Sequence, residues 1–454
     1  MRREEYMIDD FIKYASEKIE NEVPIDRELY SRYSVKRGLR NDDGSGVLVG
    51  LTKVSSVIGF KVVDEEVVPV DGELYYHGIN IKDIVEGVQR EKRHGFTEVA
   101  YLLLFGKLPT VEELTAFRNY LNPLVPLPPR LNEISILQFP STSVMNKLQR
   151  VILVLYGLDD NPDDVSVANV LRQSLNLIAK FAVIIAYSYQ ALRHKLHGDS
   201  LFVHNPNPDL CCAENFLYML RPDKSYTDLE ADMLDLALML HADHGGGNNS
   251  TFTTHVVTSS HTDTYSAISA AVGSLKGPLH GAANSYVMDM MANIKENVKK
   301  WDDDDEISAY LTKILNKKAH DGKGLIYGMG HAVYTKSDPR AVILKSKARE
   351  LADAKGRSDE FILYEKIEHL APELFYKVKN SNKVISPNVD FYSGFVYDLL
   401  GFPTEIYTPL FAMARVVGWC AHRIEELING QRIIRPAYKN VGKYQEYIQL
   451  EKRQ

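Results

Sequence analysis

Cysteine is scarce. Cys211, Cys212 and Cys420 are the only three in 454 residues, and none is spaced as CxxC. The adjacent pair is unsuited to an ordinary structural disulfide, so no disulfide framework is encoded and a reducing compartment is expected. Basic excess is missing too. Lys and Arg number 53 against 60 Asp and Glu, a net charge of −7, which argues against a general nucleic-acid binder. An anionic substrate would need a local basic pocket within an acidic protein. No apolar run is read as approaching the ~20 residues of a membrane span. The start, Met1-Arg-Arg-Glu-Glu, mixes charges and lacks an apolar signal core, and its early acidic residues argue against a transit peptide. The expectation is a cytoplasmic protein that engages neither nucleic acid nor membrane.

What is present is the material for a large core: 45% hydrophobic and 25% charged residues, over a length that suits two or three structural units. Ile8, Phe11, Ile12, Ala15 and Ile19 fall at helical spacing. Gly44-Ser-Gly46, Val47 to Val49, Val54 to Phe60 and Val62-Val63 read as short strands joined by turns. Helices dominate afterwards. Phe96 to Phe105 ends in Gly106 and Pro109, a helix with its stop signals. Thr227-Asp-Leu-Glu230 is a capping box ahead of Leu229, Met233, Leu236 and Leu240. Small residues in Tyr265 to Leu275 fit a closely packed helix. The acidic run Trp301 to Glu306 suits a helix start. Segments 316–323 and 376–385, rich in Lys, Asn and Gly, read as exposed linkers, and helical patterning returns from Pro409 to Gly430. The pattern predicts a mostly-α protein with a discontinuous large unit and a smaller unit inserted near 286–392.

Four motifs carry chemistry. Leu240-His-Ala-Asp-His244-Gly-Gly-Gly247 ends a helix in a glycine turn, with two histidines on one face. In Gly277-Pro-Leu-His280-Gly281 a histidine near a helix start would be kept neutral by the dipole. Gly328-Met-Gly330-His331 lacks the GxGxxG pattern and a βαβ context, so closely approaching backbone is the better account of its glycines. In Pro387-Asn-Val-Asp390-Phe391 apolar neighbours would desolvate a carboxylate and make it a stronger base. Arg340, Arg415 and Arg435 sit in apolar surroundings, where a guanidinium needs a partner and bidentate carboxylates suit its fork. Each residue alone is more often structural than catalytic; the ordered set is specific.

With these motifs in this order, the chain resembles the citrate synthase family from Gly38-Leu-Arg40, through Phe96 to Pro109, to Arg435-Pro436. The resemblance implies an almost wholly helical homodimer with its site in an interdomain cleft. Residues 1–37 would be an N-terminal helical extension, 38–285 and 393–454 a large domain, and 286–392 a small one. It implies that His244 binds oxaloacetate, that His280 hydrogen-bonds the acyl thioester carbonyl, that Asp390 removes the α-proton and that His331 polarises the keto carbonyl. Arg340 and Arg415 would bind carboxylates, with Arg435 donated across the dimer interface. Leu325, Gly328, Met329 and Gly330 would lie against coenzyme A. Where many relatives carry a basic residue for a coenzyme A phosphate this chain has Thr335, with Lys336 next to it.

The implied activity is a citrate (Si)-synthase-type acyl transfer of the tricarboxylic acid cycle, with acetyl-CoA and oxaloacetate as substrates and no metal or resident cofactor. Three other readings compete. A 2-methylcitrate synthase would use propionyl-CoA with the same residues, since one methylene is worth only ~1–3 kcal/mol of discrimination. A helical metal protein would use His241, His244, His255 and His261. A non-catalytic relative is disfavoured by the joint presence of His280, His331 and Asp390.

Overall fold

The structure, a computed structural model, describes residues 2–453 apart from 23, 43, 64–65, 129, 381–383 and 431. The side chain of Ile8, one of the residues on which the first helix was predicted, lies outside the described residues. Contacts divide the chain into two compact units, Gly50–Ile434 and Met1–Val49 with Arg435–Gln454. They do not separate 286–392 from the rest of the first unit. Among the described residues there are 17 α-helices and one small sheet.

In the smaller unit the predicted first helix spans Arg2–Glu22. Its Phe11, Ile12 and Ile19 are exposed. The strand expected at Val47 to Val49 does not form; Arg40 and Gly46 make an isolated bridge and the following residues are irregular. With Leu48 exposed, no apolar surface recruits this stretch into a sheet.

The larger unit holds an antiparallel sheet in the order β1 (Ser55–Val63), β2 (Glu66–Tyr76), β3 (Ile79–Asn80). His77 and Gly78, at φ 43° and 82°, make the tight turn between β2 and β3. Two strand glycines have a positional reason. A Cβ on Gly59 would lie 2.3 Å from the Val333 carbonyl oxygen, and one on Gly72 2.2 Å from that of Ser337. The sheet can therefore press directly onto the segment that follows His331. Thr335 Oγ1 donates to the Gly59 carbonyl at 3.4 Å, and Gly72 N–H to Ser337 Oγ at 3.1 Å.

Helix boundaries follow the local chemistry. Phe96–Phe105 ends on Gly106 at φ 78°, whose N–H returns to the Leu102 carbonyl. Asp228–His241 starts in the Thr227–Glu230 capping box, worth about 1 kcal/mol. Asp304–Leu315 starts on Asp303 with three acidic residues in its first turn. Lys377 and Lys379, expected in a linker, instead finish the helix Ser358–Lys379. Residues 381–383 of that linker lie outside the described residues. The central helix Tyr407–Asn429 is buried from Tyr407 to Arg423 almost without break.

One apolar stretch is longer than expected. Val167–His197 has the length and composition to cross a bilayer, but 78% of its most apolar window is buried inside the protein. Its Lys180 Nζ donates to Asn176 Oδ1 at 2.7 Å. This is a core helix, not evidence for a membrane span.

Candidate active site

Asp338 caps the helix Pro339–Ala354 and organises what surrounds it. Its Oδ1 accepts from the Arg340 backbone N–H, the ordinary capping bond, and from Arg340 Nε, both at 3.0 Å. Its Oδ2 accepts from Arg340 Nη2 at 2.8 Å and from Val389 N–H at 3.1 Å. Asp338 and Arg340 are both buried. One carboxylate thus aims Arg340 and holds the start of the helix Val389–Leu399, where Asp390 sits in the first turn. Burial alone would lower the Arg340 guanidinium; the Asp338 charge beside it raises it above its ordinary value.

Asp390 is partly exposed, between fully packed Val389 and Phe391. Its carboxyl is pushed up to about 6, first by burial and also by Asp338, against the pull of Arg340 and Arg415. Desolvation outweighs two guanidinium groups here, which leaves a carboxylate basic enough to take a proton near neutrality.

The glycine loop before His331 is tied to the same helix start. Gly330 N–H donates to the Ser386 carbonyl at 2.7 Å, Asn388 N–H to the Gly328 carbonyl at 2.9 Å, and Asn388 Nδ2 to the Gly330 carbonyl at 2.8 Å. These backbone groups pair within the protein. The glycines serve close approach: at φ 79°, a Cβ on Gly328 would meet Val287 and Phe391 below 3 Å. Beyond the loop, His331 Nδ1 accepts from the N–H groups of Val333 and Tyr334 at 3.0 and 3.1 Å. An atom accepting two amides carries no proton, so the neutral ring is protonated at Nε2 and can donate from there.

His331 faces His244, ring centroids 5.2 Å apart, and Tyr334 lies against both rings. His244 follows the helix Asp228–His241 rather than lying in it. It is buried, and burial followed by Arg340 holds it well below the ordinary imidazole range, hence neutral. Its Nε2 and the Tyr334 hydroxyl are buried without a hydrogen-bond partner among the described residues. Orphaned polar atoms at one spot are the mark of a place shaped for a polar ligand. Arg415, on the central helix, donates from Nε to the His241 carbonyl at 2.7 Å and lowers His244, His280 and Asp390 alike.

His280 occupies the turn between the helices Thr264–Lys276 and Ala283–Asn297. Its imidazole is pulled down to about 4 by burial and then by Arg415, so the expected neutrality has causes other than the dipole first invoked. Its Nε2 lies 3.2 Å from Ser250 Oγ. Trp419 Nε1 donates to that hydroxyl at 3.1 Å, while Asn248 Oδ1 is 2.8 Å away. The one Ser250 proton has two takers. Given to His280 Nε2, it leaves Nδ1–H to donate to a ligand.

Three predicted residues lie at the surface. Arg435 is exposed and belongs to the smaller compact unit. Leu325 and Lys336 are exposed. The four histidines of the metal reading have separate surroundings. His241 stacks on Phe411 at 3.9 Å, His244 faces His331, His255 sits between Glu426 and His422, and His261 occupies a left-handed turn.

Residues 43–437 match a family profile described as "Citrate synthase, C-terminal domain". The chain belongs to the citrate synthase family. It is 37% identical over 385 residues to a citrate synthase of Deinococcus radiodurans, covering 85% of this chain and 94% of that one. It is 32% identical over 415 residues to 2-methylcitrate synthase 1 of Corynebacterium glutamicum, covering 90% and 96%. A citrate synthase from Thermoplasma acidophilum, solved as a ternary complex with carboxymethyl coenzyme A and oxaloacetate, superposes with a TM-score of 0.75 at 28% identity. That match covers 92% of this chain and 99% of that one.

Within this citrate synthase family member, reading by motif missed Asp338, Tyr334, Ser250 and Trp419. Asp338 had a signal: an Asp before Pro-Arg is an N-cap pattern, and its carboxylate falls beside the arginine two residues on. Ser250 had none, because its partners His280 and Trp419 lie 30 and 169 residues away.

Proposed function

We propose that this chain condenses acetyl-CoA with oxaloacetate and hydrolyses the resulting citryl thioester to citrate and coenzyme A. The observation that carries the reading is the Asp338 tie, which aims buried Arg340 and holds the helix start bearing Asp390, a carboxyl of raised pKa, while Asn388 at that helix start bonds the Gly330 carbonyl just before His331. Release of free thiol from acetyl-CoA, dependent on oxaloacetate, is the experiment that tests it.

The chemistry makes three demands. An α-proton of a thioester is too weakly acidic for a carboxylate alone. Asp390 takes it while neutral His280, once its Nε2 accepts the Ser250 proton, donates from Nδ1 and stabilises the charge growing on the thioester oxygen. The enol carbon then attacks the keto carbon of oxaloacetate. As that C–C bond forms, the carbonyl π electrons move to oxygen, which His331 Nε2–H and His244 stabilise, and His331 is placed to deliver the proton. Arg340 and Arg415 clamp the dianion in the attack geometry. Water finally adds to the citryl thioester carbonyl and the C–S bond breaks, giving a carboxylate and the thiol. Histidines and arginines supply the electrophilic stabilisation, so the reading assigns no resident metal or cofactor, and coenzyme A is a substrate.

Arg435, which is exposed, completes the clamp from a second subunit of a homodimer in this reading. Segment 286–392 acts as the part that closes over coenzyme A, with Leu325, Met329 and Lys336 at that end. Scarce cysteine and an acidic net charge of −7 support a cytoplasmic enzyme in this reading. A propionyl-CoA-using 2-methylcitrate synthase is the second reading, favoured by the 32% identity to the Corynebacterium enzyme of that name.

A further inference from the structure

Three side chains of metal-binding type, none of them among the active-site residues described above, meet beside a cavity. His94, Cys211 and Glu214 bring one ligand atom each within 4.8 Å of one another. The cavity, about 660 Å³, is lined by these three together with Arg93, Arg118 and Cys212, among others. We propose that His94, Cys211 and Glu214 form a zinc site with one coordination position open to this cavity.

The backbone holding the three groups is fixed. His94 precedes Gly95 and Phe96, whose N–H groups both donate to buried Asp235. Arg93, on its other side, pairs with Glu98 at 2.8 Å. Cys211 caps the helix Cys212–Leu220, its sulfur accepting the Glu214 N–H, while Glu214 Oε2 accepts the Cys211 N–H at 2.8 Å. That carboxylate keeps further lone pairs for a metal, so ligation leaves the cap intact.

The imidazole has a carboxylate close to its far nitrogen, one that a small turn of the ring would bring into hydrogen-bond alignment. His94 Nδ1 lies 4.0 Å from Glu214 Oε2, and Asp232 Oδ1 lies 3.3 Å from Nε2. A carboxylate behind the distal nitrogen orients a metal-bound histidine and raises its basicity. Tetrahedral zinc, with bonds of about 2.0–2.3 Å, needs ligands roughly 3.5 Å apart, so side-chain rotation must close the present spacing of up to 4.8 Å by at most about 1.3 Å. One thiolate, one imidazole and one carboxylate suit zinc better than magnesium or calcium, which prefer oxygen alone. On binding, the Cys211 thiol gives its proton to solvent and the sulfur takes the metal.

The full-length protein, stripped with chelator, is titrated with Zn²⁺ and separately with Co²⁺. The parent and Cys212→Ser should bind one metal and show a thiolate-to-cobalt charge-transfer band. Cys211→Ser should lose the band, and His94→Ala should bind Zn²⁺ at least tenfold more weakly. No charge-transfer band in the parent, or an equal one in Cys211→Ser, would overturn the proposal. Should Cys211→Ser fail to fold, alkylation mapped by mass spectrometry on the parent decides. Zn²⁺ should protect Cys211 from iodoacetamide, and equal alkylation with and without Zn²⁺ would count against the site.

Discussion

Asp338 and Arg340 form a buried two-point pair, Nε to Oδ1 at 3.0 Å and Nη2 to Oδ2 at 2.8 Å, and the same carboxylate accepts the Val389 N–H. Asp338→Asn removes the charge and forces one amide N–H against donors. Breaking one side of a buried pair costs about 3 kcal/mol, so the melting temperature should fall. With Arg340 no longer aimed, KM for oxaloacetate should rise by about tenfold or more. A variant with parental stability and KM would show that the pair positions nothing.

Asp390 ties function to stability. As the base, it must be ionised, so kcat/KM should decline as pH falls below about 6. For stability the sign is opposite. Its folded pKa, about 6, stands above the ordinary 3.8, so the folded state binds more protons between these values and stability drops as pH rises through the window. The cost at pH 7 is about 3 kcal/mol. Asp390→Asn should therefore raise the melting temperature of the ligand-free protein at pH 7 and narrow the gap at pH 4, while turnover falls about 100-fold or more. Thermal melts at the two pH values check this.

His331→Asn separates two roles. The Asn Oδ1 can stand in for Nδ1 and accept the Val333 and Tyr334 amides, but no group replaces the Nε2–H donor. The fold should survive, with kcat lowered about 10²–10³-fold and thermal stability close to the parent. Turnover within a few-fold of the parent would remove His331 from carbonyl polarisation.

Subunit mixing tests the placing of Arg435. Arg435→Ala and Asp390→Asn proteins, each inactive, should regain part of the activity once exchanged, because a heterodimer holds one intact site. No recovery despite demonstrated exchange would assign Arg435 to its own chain's site or to none.

Much of this was legible in the sequence where the determinants are local. The capping box at Thr227–Glu230 and the glycine stop at Gly106 fix helix ends by neighbouring atoms, and both helices form there. Val389 and Phe391 announced the desolvation of Asp390. Long-range geometry was not legible. The sheet's approach to Val333 through Gly59, and the binding of the glycine loop by Asn388, depend on segments far apart in the chain. Val167–His197 escaped notice because Arg172 and Lys180 interrupt its apolar run; Arg172 stays exposed, while Lys180 is buried with the helix. Val47 to Val49 misled in the other direction: β-branched residues favour strands only where a partner edge and an apolar face are available.

The most direct test is thiol release by the purified protein, with and without oxaloacetate, from acetyl-CoA and propionyl-CoA. The account predicts rapid release from acetyl-CoA only when oxaloacetate is present, with kcat/KM higher than for propionyl-CoA, and release reduced about 100-fold or more in Asp390→Asn. Preference for propionyl-CoA would shift the assignment to 2-methylcitrate synthesis. No oxaloacetate-dependent thiol release from either ester would contradict the account.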